Sequence, residues 1–170
     1  MSTLLAIAIT TGILSGIWGW LSVTIGLLTW VGFLGCTSFF ASPIDGIKGL
    51  YMSLLTNLSG VFWAMVAIHG SEYISIDVMS YVVAGLIAFI MCIQAKQVLL
   101  NYIPGTFIGS CATFATDGNW QLVVPSIVIG AIFGYLMKAS GLQLSQRLNK
   151  NHRSIMSLTP TSSNQVKTEL

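Results

Sequence analysis

Residues Leu4 to Ala41 read LLAIAITTGILSGIWGWLSVTIGLLTWVGFLGCTSFFA, thirty-eight positions without one charged side chain. As a single helix rising ~1.5 Å per residue this run would be about 57 Å long, against a bilayer core of ~30 Å. It has to turn once, so the chain opens with two apolar helices. The turn is expected at Gly16–Trp20, because Trp18 and Trp20 flank Gly19 there and tryptophans favour the headgroup layer.

Four more apolar segments follow, at Ile47–Ile68, Val78–Ala95, Val98–Ala115 and Leu122–Met137. Turn-forming composition separates them: Ser42-Pro43-Ile44-Asp45-Gly46, His69-Gly70-Ser71-Glu72 and Thr116-Asp117-Gly118-Asn119. Whole-chain composition agrees. Of 170 residues 54% are apolar and 7% charged, with a mean hydropathy of +0.81, whereas a soluble domain carries roughly a quarter charged residues. A water-facing surface cannot be built from so few charges. Soluble catalysis, nucleic-acid binding and a small secreted disulfide fold are excluded in favour of an integral membrane protein.

The first segment has no basic residue before Lys48 and outruns an h-region, so a retained span is expected rather than a cleaved signal. The three cysteines, Cys36, Cys92 and Cys111, lie in apolar runs without Cys-x-x-Cys spacing, which points to packing rather than to a metal or dithiol site. No cofactor or metal is called for. His69 and His152, the two histidines, are expected in a loop and in the tail. With no His-Glu-x-x-His, Gly-x-Ser-x-Gly or phosphate-binding Gly-Lys loop, an enzyme is not expected.

Charge is distributed unevenly. Residues 1–137 hold Lys48 and Lys96 against four acids, whereas residues 138–170 hold five bases against Glu169. Lys and Arg near membrane ends stay in the cytoplasm, which makes the tail cytoplasmic. Residues 1–140 are read as the transmembrane domain and 141–170 as a largely disordered basic tail. Six spans place all seven bases, including the anchors Lys48 and Lys96, on one side with both termini cytoplasmic. The alternative has four spans with segments two and five re-entrant, which would strand both lysines outside.

Segments two and five match without gaps at an offset of 74. Phe33 pairs with Phe107, Gly35 with Gly109, Phe40 with Phe114 and Ala41 with Ala115; Cys36 pairs with Ser110, and beyond them Gly60 pairs with Gly134. This predicts an internal repeat, about 4–69 and 78–138. Each unit holds three spans, so the second would enter the membrane inverted, an arrangement that recurs in transporters and channels. The expected fold class is all-α, with six transmembrane helices in two inverted three-helix repeats. The paired motifs Phe33, Gly35, Cys36, Thr37, Phe40 and Phe107, Gly109, Ser110, Cys111, Thr113, Phe114 are read as pore-lining or as close helix packing, since small residues serve both. Asn57 and Gln94 are the candidate polar lining. No ionisable side chain falls at the centre of a span, although ion-coupled pumps usually bury one.

Several strings carry a resemblance: Gly16-Ile17-Trp18-Gly19-Trp20, Trp30 to Thr37, Met91 to Gln97, Pro104 to Ala115 and Gly130 to Lys138. Over residues 4–142 the chain resembles the YcdZ-type bacterial inner-membrane proteins, a domain family of unknown function. The resemblance implies a multi-span protein of the bacterial inner membrane with a cytoplasmic C-terminus, and supplies no substrate. Two functions are then expected to compete. One is a small-solute channel or facilitator in the lipid bilayer, homo-oligomeric because six short spans enclose little volume. The other is a non-transporting assembly or regulatory subunit that docks through its tail.

Overall fold

A computed structural model describes residues 2–72 and 77–158, with the side chains of residues 72, 77–80 and 151–158 excepted. The described residues are helical, without strands: α1 Thr3–Thr24, α2 Thr29–Phe40, α3 Gly46–Glu72, α4 Asp77–Ile93, α5 Ile103–Phe114 and α6 Trp120–Leu158. Two 3₁₀ turns, Gln94–Lys96 and Val98–Leu100, join α4 to α5. Three helices, α1, α3 and α6, are long and apolar enough to cross a membrane; α2 and α4 are apolar but shorter.

The first turn is not where the tryptophans suggest. α1 runs through Gly16–Trp20 unbroken, and the chain reverses at Ile25–Leu28, where Gly26 takes φ +72°. The reason lies in Trp18, which is 1% exposed and donates its Nε1 hydrogen to the Thr29 carbonyl at 3.0 Å. It is a packing residue that ties the end of α1 to the start of α2. The turn itself is closed by hydroxyls: Ser22 meets Thr29 at 2.7 Å, and Ser126 of α6 accepts the Leu28 amide at 3.0 Å.

Two further expectations change. His69 sits in the last turn of α3, not in a loop. α6 does not end at Met137; the tail, expected to lose structure from residue 141, is helical as far as Leu158. Ser145 in this extension is buried and meets the Thr3 hydroxyl at 3.2 Å, while Thr10 donates to the Met137 carbonyl at 2.8 Å. Residues 159–170 lie outside the described residues.

The most extensive packing joins α2 to α6 and α3 to α5. Rising numbers meet rising numbers in both pairs: Leu28 with Ser126 and Phe39 with Tyr135 in one, Thr56 with Gly105 and Ile68 with Gly118 in the other. Each pair is therefore parallel. α3 and α6 run oppositely, since Asp45 just before α3 is ion-paired with Lys138 midway along α6, while His69 late in α3 shares a groove with Trp120 at the start of α6. α1 is antiparallel to α6 and α4 to α3, so successive helices alternate in direction. The central cluster, Val31, Val61, Ala112, Val123 and Ile127, draws on α2, α3, α5 and α6.

Candidate functional site

The two sequence motifs lie on the short helices, α2 and α5, each 12 residues long. Pro104 stands in the first turn of α5, where its missing amide hydrogen costs nothing, so it starts this helix rather than interrupting one. Residues 31–39 and 105–113 have the same pattern of burial position for position, as do residues 52–57 and 126–131. Gly35, Cys36, Gly109, Ser110 and Thr113 point inward, whereas Phe33, Thr37, Phe107, Cys111 and Phe114 are exposed and Phe40 is half-buried. The paired phenylalanines Phe33 and Phe107 thus stand on the outside of the bundle.

The inward glycines mark close backbone approaches. A Cβ on Gly35 would stand 2.3 Å from the Ile127 carbonyl oxygen, and one on Gly109 would stand 1.9 Å from that of Asn57. Cys36 packs its sulfur 3.5 Å from that of Met137. Thr113 donates to the carbonyl of Gly109 within its own helix, and Thr37 does the same to Phe33. Hydroxyls satisfied this way line a packing seam without offering a donor to a guest.

Two polar groups behave differently. Gln94 closes α4 and receives hydrogen bonds on Oε1 from the Ser59 hydroxyl at 2.7 Å and from Trp63 Nε1 at 3.0 Å, while its Nε2 donates to Thr106 at 3.1 Å. One amide thereby joins α3, α4 and α5. Lys96, two residues on, is exposed, as is Lys48 at the start of α3. The other group is Asn57, fully buried on α3. Ser53 donates to Ser38 at 2.8 Å and Ser38 donates to Asn57 Oδ1 at 3.0 Å, which leaves the Asn57 Nδ2 amide without a partner.

Tyr102 completes this second cluster and carried no mark in the sequence beyond being an aromatic with a polar tip in a charge-free run. It is 5% exposed, its ring lies against Gly105, and its hydroxyl sits beside Ser38 without hydrogen-bond geometry. At the far end of the bundle Lys138 pairs with Asp45 and stands 5.8 Å over the Phe39 ring. Opposite, a shallow apolar groove of about 350 Å³ is lined by Leu58, Val61, Phe62, Met65, His69 and Trp120. No group of three His, Cys, Asp or Glu able to hold a metal occurs among the described residues.

Comparison with known proteins agrees with a membrane protein. A family model described as a protein of unknown function, DUF1097, matches residues 8–142. The chain is 61% identical over 155 residues to the inner membrane protein YcdZ of Escherichia coli K12, covering 90% of this chain and 95% of that one. It is 62% identical over 148 residues to the inner membrane protein YcdZ of Salmonella typhimurium LT2, covering 86% and 92%. An uncharacterized protein of Escherichia coli K12, YahC, is 30% identical over 168 residues, covering 88% and 98%. No solved structure matches. The chain is thus a membrane protein that belongs to the DUF1097 family, whose function is unknown, and two of its relatives are named inner membrane proteins.

Proposed function

We propose that all six helices cross the inner membrane as two inverted three-helix repeats, with both termini cytoplasmic, and that the protein is a passive facilitator for a small uncharged solute. The repeated burial patterns at an offset of 74 support the repeat. So does the exchange in packing, where α2 lies on α6 as α5 lies on α3. Alternating helix direction supports six crossings over a re-entrant arrangement. At about 18 Å, α2 and α5 are shorter than the ~30 Å core. The stretches 25–28 and 97–102 extend them, and irregular backbone is tolerated at depth where protein covers it.

The observation that carries the facilitator reading is the neutral polar cluster of Ser38, Ser53, Asn57 and Tyr102, buried where α2, α3 and α5 converge. Asn57 lies nine residues beyond Lys48, roughly 14 Å along α3 and so near the midplane. Buried amides and hydroxyls at that depth, without an ionisable side chain among them, suit an uncharged guest and offer nothing to couple its movement to an ion. Proteoliposomes carrying the protein are expected to take up glycerol or urea faster than empty liposomes, read by stopped-flow light scattering. Rates equal to the empty control for both solutes would remove this reading.

A second reading, a non-transporting assembly or regulatory subunit, is favoured by one feature. The helical extension of α6 carries Arg147 and Lys150 well past the Lys138–Asp45 pair, as a docking arm would. Truncation after Gln146 removes those bases and spares Ser145. Unchanged solute uptake in the truncated protein separates the two.

A further inference from the structure

The buried hydroxyls of Thr56, Thr113 and Ser126 each return their hydrogen to a carbonyl of their own helix. Asn57 and Tyr102 have no such outlet. The amide Nδ2 of one and the hydroxyl of the other are both buried and both without a partner, and both adjoin Ser38. Buried polar side chains are nearly always paired, and an unpaired one costs about 1–3 kcal/mol even in a soluble interior. Two orphans at one spot, in a region that satisfies its other hydroxyls, mark a place left for a third party.

The chemistry of that third party follows from what faces it. Ser38, Ser53, Thr56, Asn57 and Tyr102 carry no charge, so an ion would enter the bilayer centre without a counter-charge, at a cost of several kcal/mol. The guest is neutral. Asn57 offers N–H to it, and with the amide turned over would offer C=O instead. A hydroxyl group, donor and acceptor at once, satisfies either orientation and the Tyr102 phenol as well.

We infer that Asn57 and Tyr102 form a midplane binding site for one small uncharged hydroxyl compound, water being the smallest and a short polyol such as glycerol the next. The site rests on the facilitator reading for its role in transit but not for its existence. Tyr102→Phe deletes one oxygen and keeps the ring against Gly105. If the hydroxyl were a true orphan, its removal would leave the melting temperature unchanged or higher. If it holds a guest, the melting temperature of the full chain in nanodiscs falls by about 2 °C or more.

The test combines that measurement with a structure of the full chain in nanodiscs, resolved finely enough to show waters, and with water and glycerol permeability of proteoliposomes. Density within hydrogen-bond reach of both Asn57 and Tyr102, lost in Tyr102→Phe, is the expected result. An empty site, or a melting temperature that does not fall, overturns the inference. Density that enlarges when glycerol is added names the polyol; density that stays the size of one water names water. Where that guest crosses, its flux falls by about two- to tenfold in Tyr102→Phe, the effect of one hydrogen bond in the path. Wild-type protein with an occupied site but no flux of either probe leaves the site standing and removes the facilitator reading instead. Wild-type flux that Tyr102→Phe leaves unchanged removes the site from the path. Asn57→Leu serves as the second variant; its loss of folding would not bear on the Tyr102→Phe results.

Discussion

Gly109 of α5 touches the backbone of Asn57 of α3: a Cβ on the glycine would stand 1.9 Å from the asparagine carbonyl oxygen and 2.7 Å from its carbon. Backbone cannot swing aside as a side-chain tip can. Gly109→Ala therefore has to push α5 off α3, and Gly35→Ala has to push α2 off α6. Overpacking of this kind costs about 1–3 kcal/mol. Both variants are expected to melt several degrees lower in detergent, at about 2–4 °C per kcal/mol for a chain of this size. Gly16→Ala is the control, because nothing lies within 4 Å of the position its Cβ would take. Equal stability of all three would show that the two interfaces can open freely.

Much of this was readable beforehand, and what was not has physical causes. The offset of 74 depends on which positions are small, and Gly35, Gly109, Gly60 and Gly134 are small because another backbone touches each of them. Such a constraint is written into residue identity. Trp18 misled because a tryptophan at the headgroup layer and one buried against Gly32 carry the same letter; only its bond to Thr29 distinguishes them. Phe33 and Phe107 read as pore-lining or packing residues and turn out exposed, since each is the fifth residue of its 12-residue helix, on the face away from the inward Gly35 and Gly109. Gln94 and Asn57 were legible as polar groups in apolar runs. Their partners Trp63 and Tyr102 were not, because what pairs with a buried amide depends on which helices converge.

Gln94, just past the end of α4, accepts hydrogen bonds from Ser59 and Trp63 of α3 and donates one to Thr106 of α5, and so it ties that end of α4 to two other helices. Gln94→Leu leaves the Ser59 hydroxyl and the Trp63 indole without their acceptor, at roughly 1–3 kcal/mol per stranded group. Trp63→Phe removes one donor and strands nothing, so it costs less. Combined, the two changes are expected to cost less than their sum, because the indole no longer misses an acceptor once it is gone. Chemical denaturation of the four proteins in detergent supplies the cycle. Strict additivity would show that the bond contributes nothing.

Helix direction makes a definite statement about sidedness under six crossings. Reporters fused after Asp45 and Gln97 are expected to read cytoplasmic, and those after Tyr73 and Gly118 periplasmic. The ion pair of Asp45 with Lys138 then lies at the cytoplasmic face, where bases are retained. The alternative pattern, with Tyr73 inside and Asp45, Gln97 and Gly118 outside, would make α2 and α5 re-entrant and remove the inverted repeat.

The extension of α6 has two halves with different duties. As far as Ser145 it holds α1: a Cβ on Gly141 would stand 2.6 Å from the Ile7 Cα, and Ser145 meets Thr3. Beyond it, Gln146, Arg147, Leu148, Asn149 and Lys150 are exposed. Truncation after Gln146 is therefore expected to leave the melting temperature within about 2 °C of the full chain, as surface changes usually do. Truncation after Lys138 uncovers the start of α1, because it removes Gly141 from against Ile7 and Ser145 from against Thr3. That protein is expected to melt well below the other and to yield to protease within α1. If both truncations melt alike and uptake is unchanged in each, α1 is held by Trp18 and the α2 turn alone, and the extension serves neither the fold nor the passage of solute.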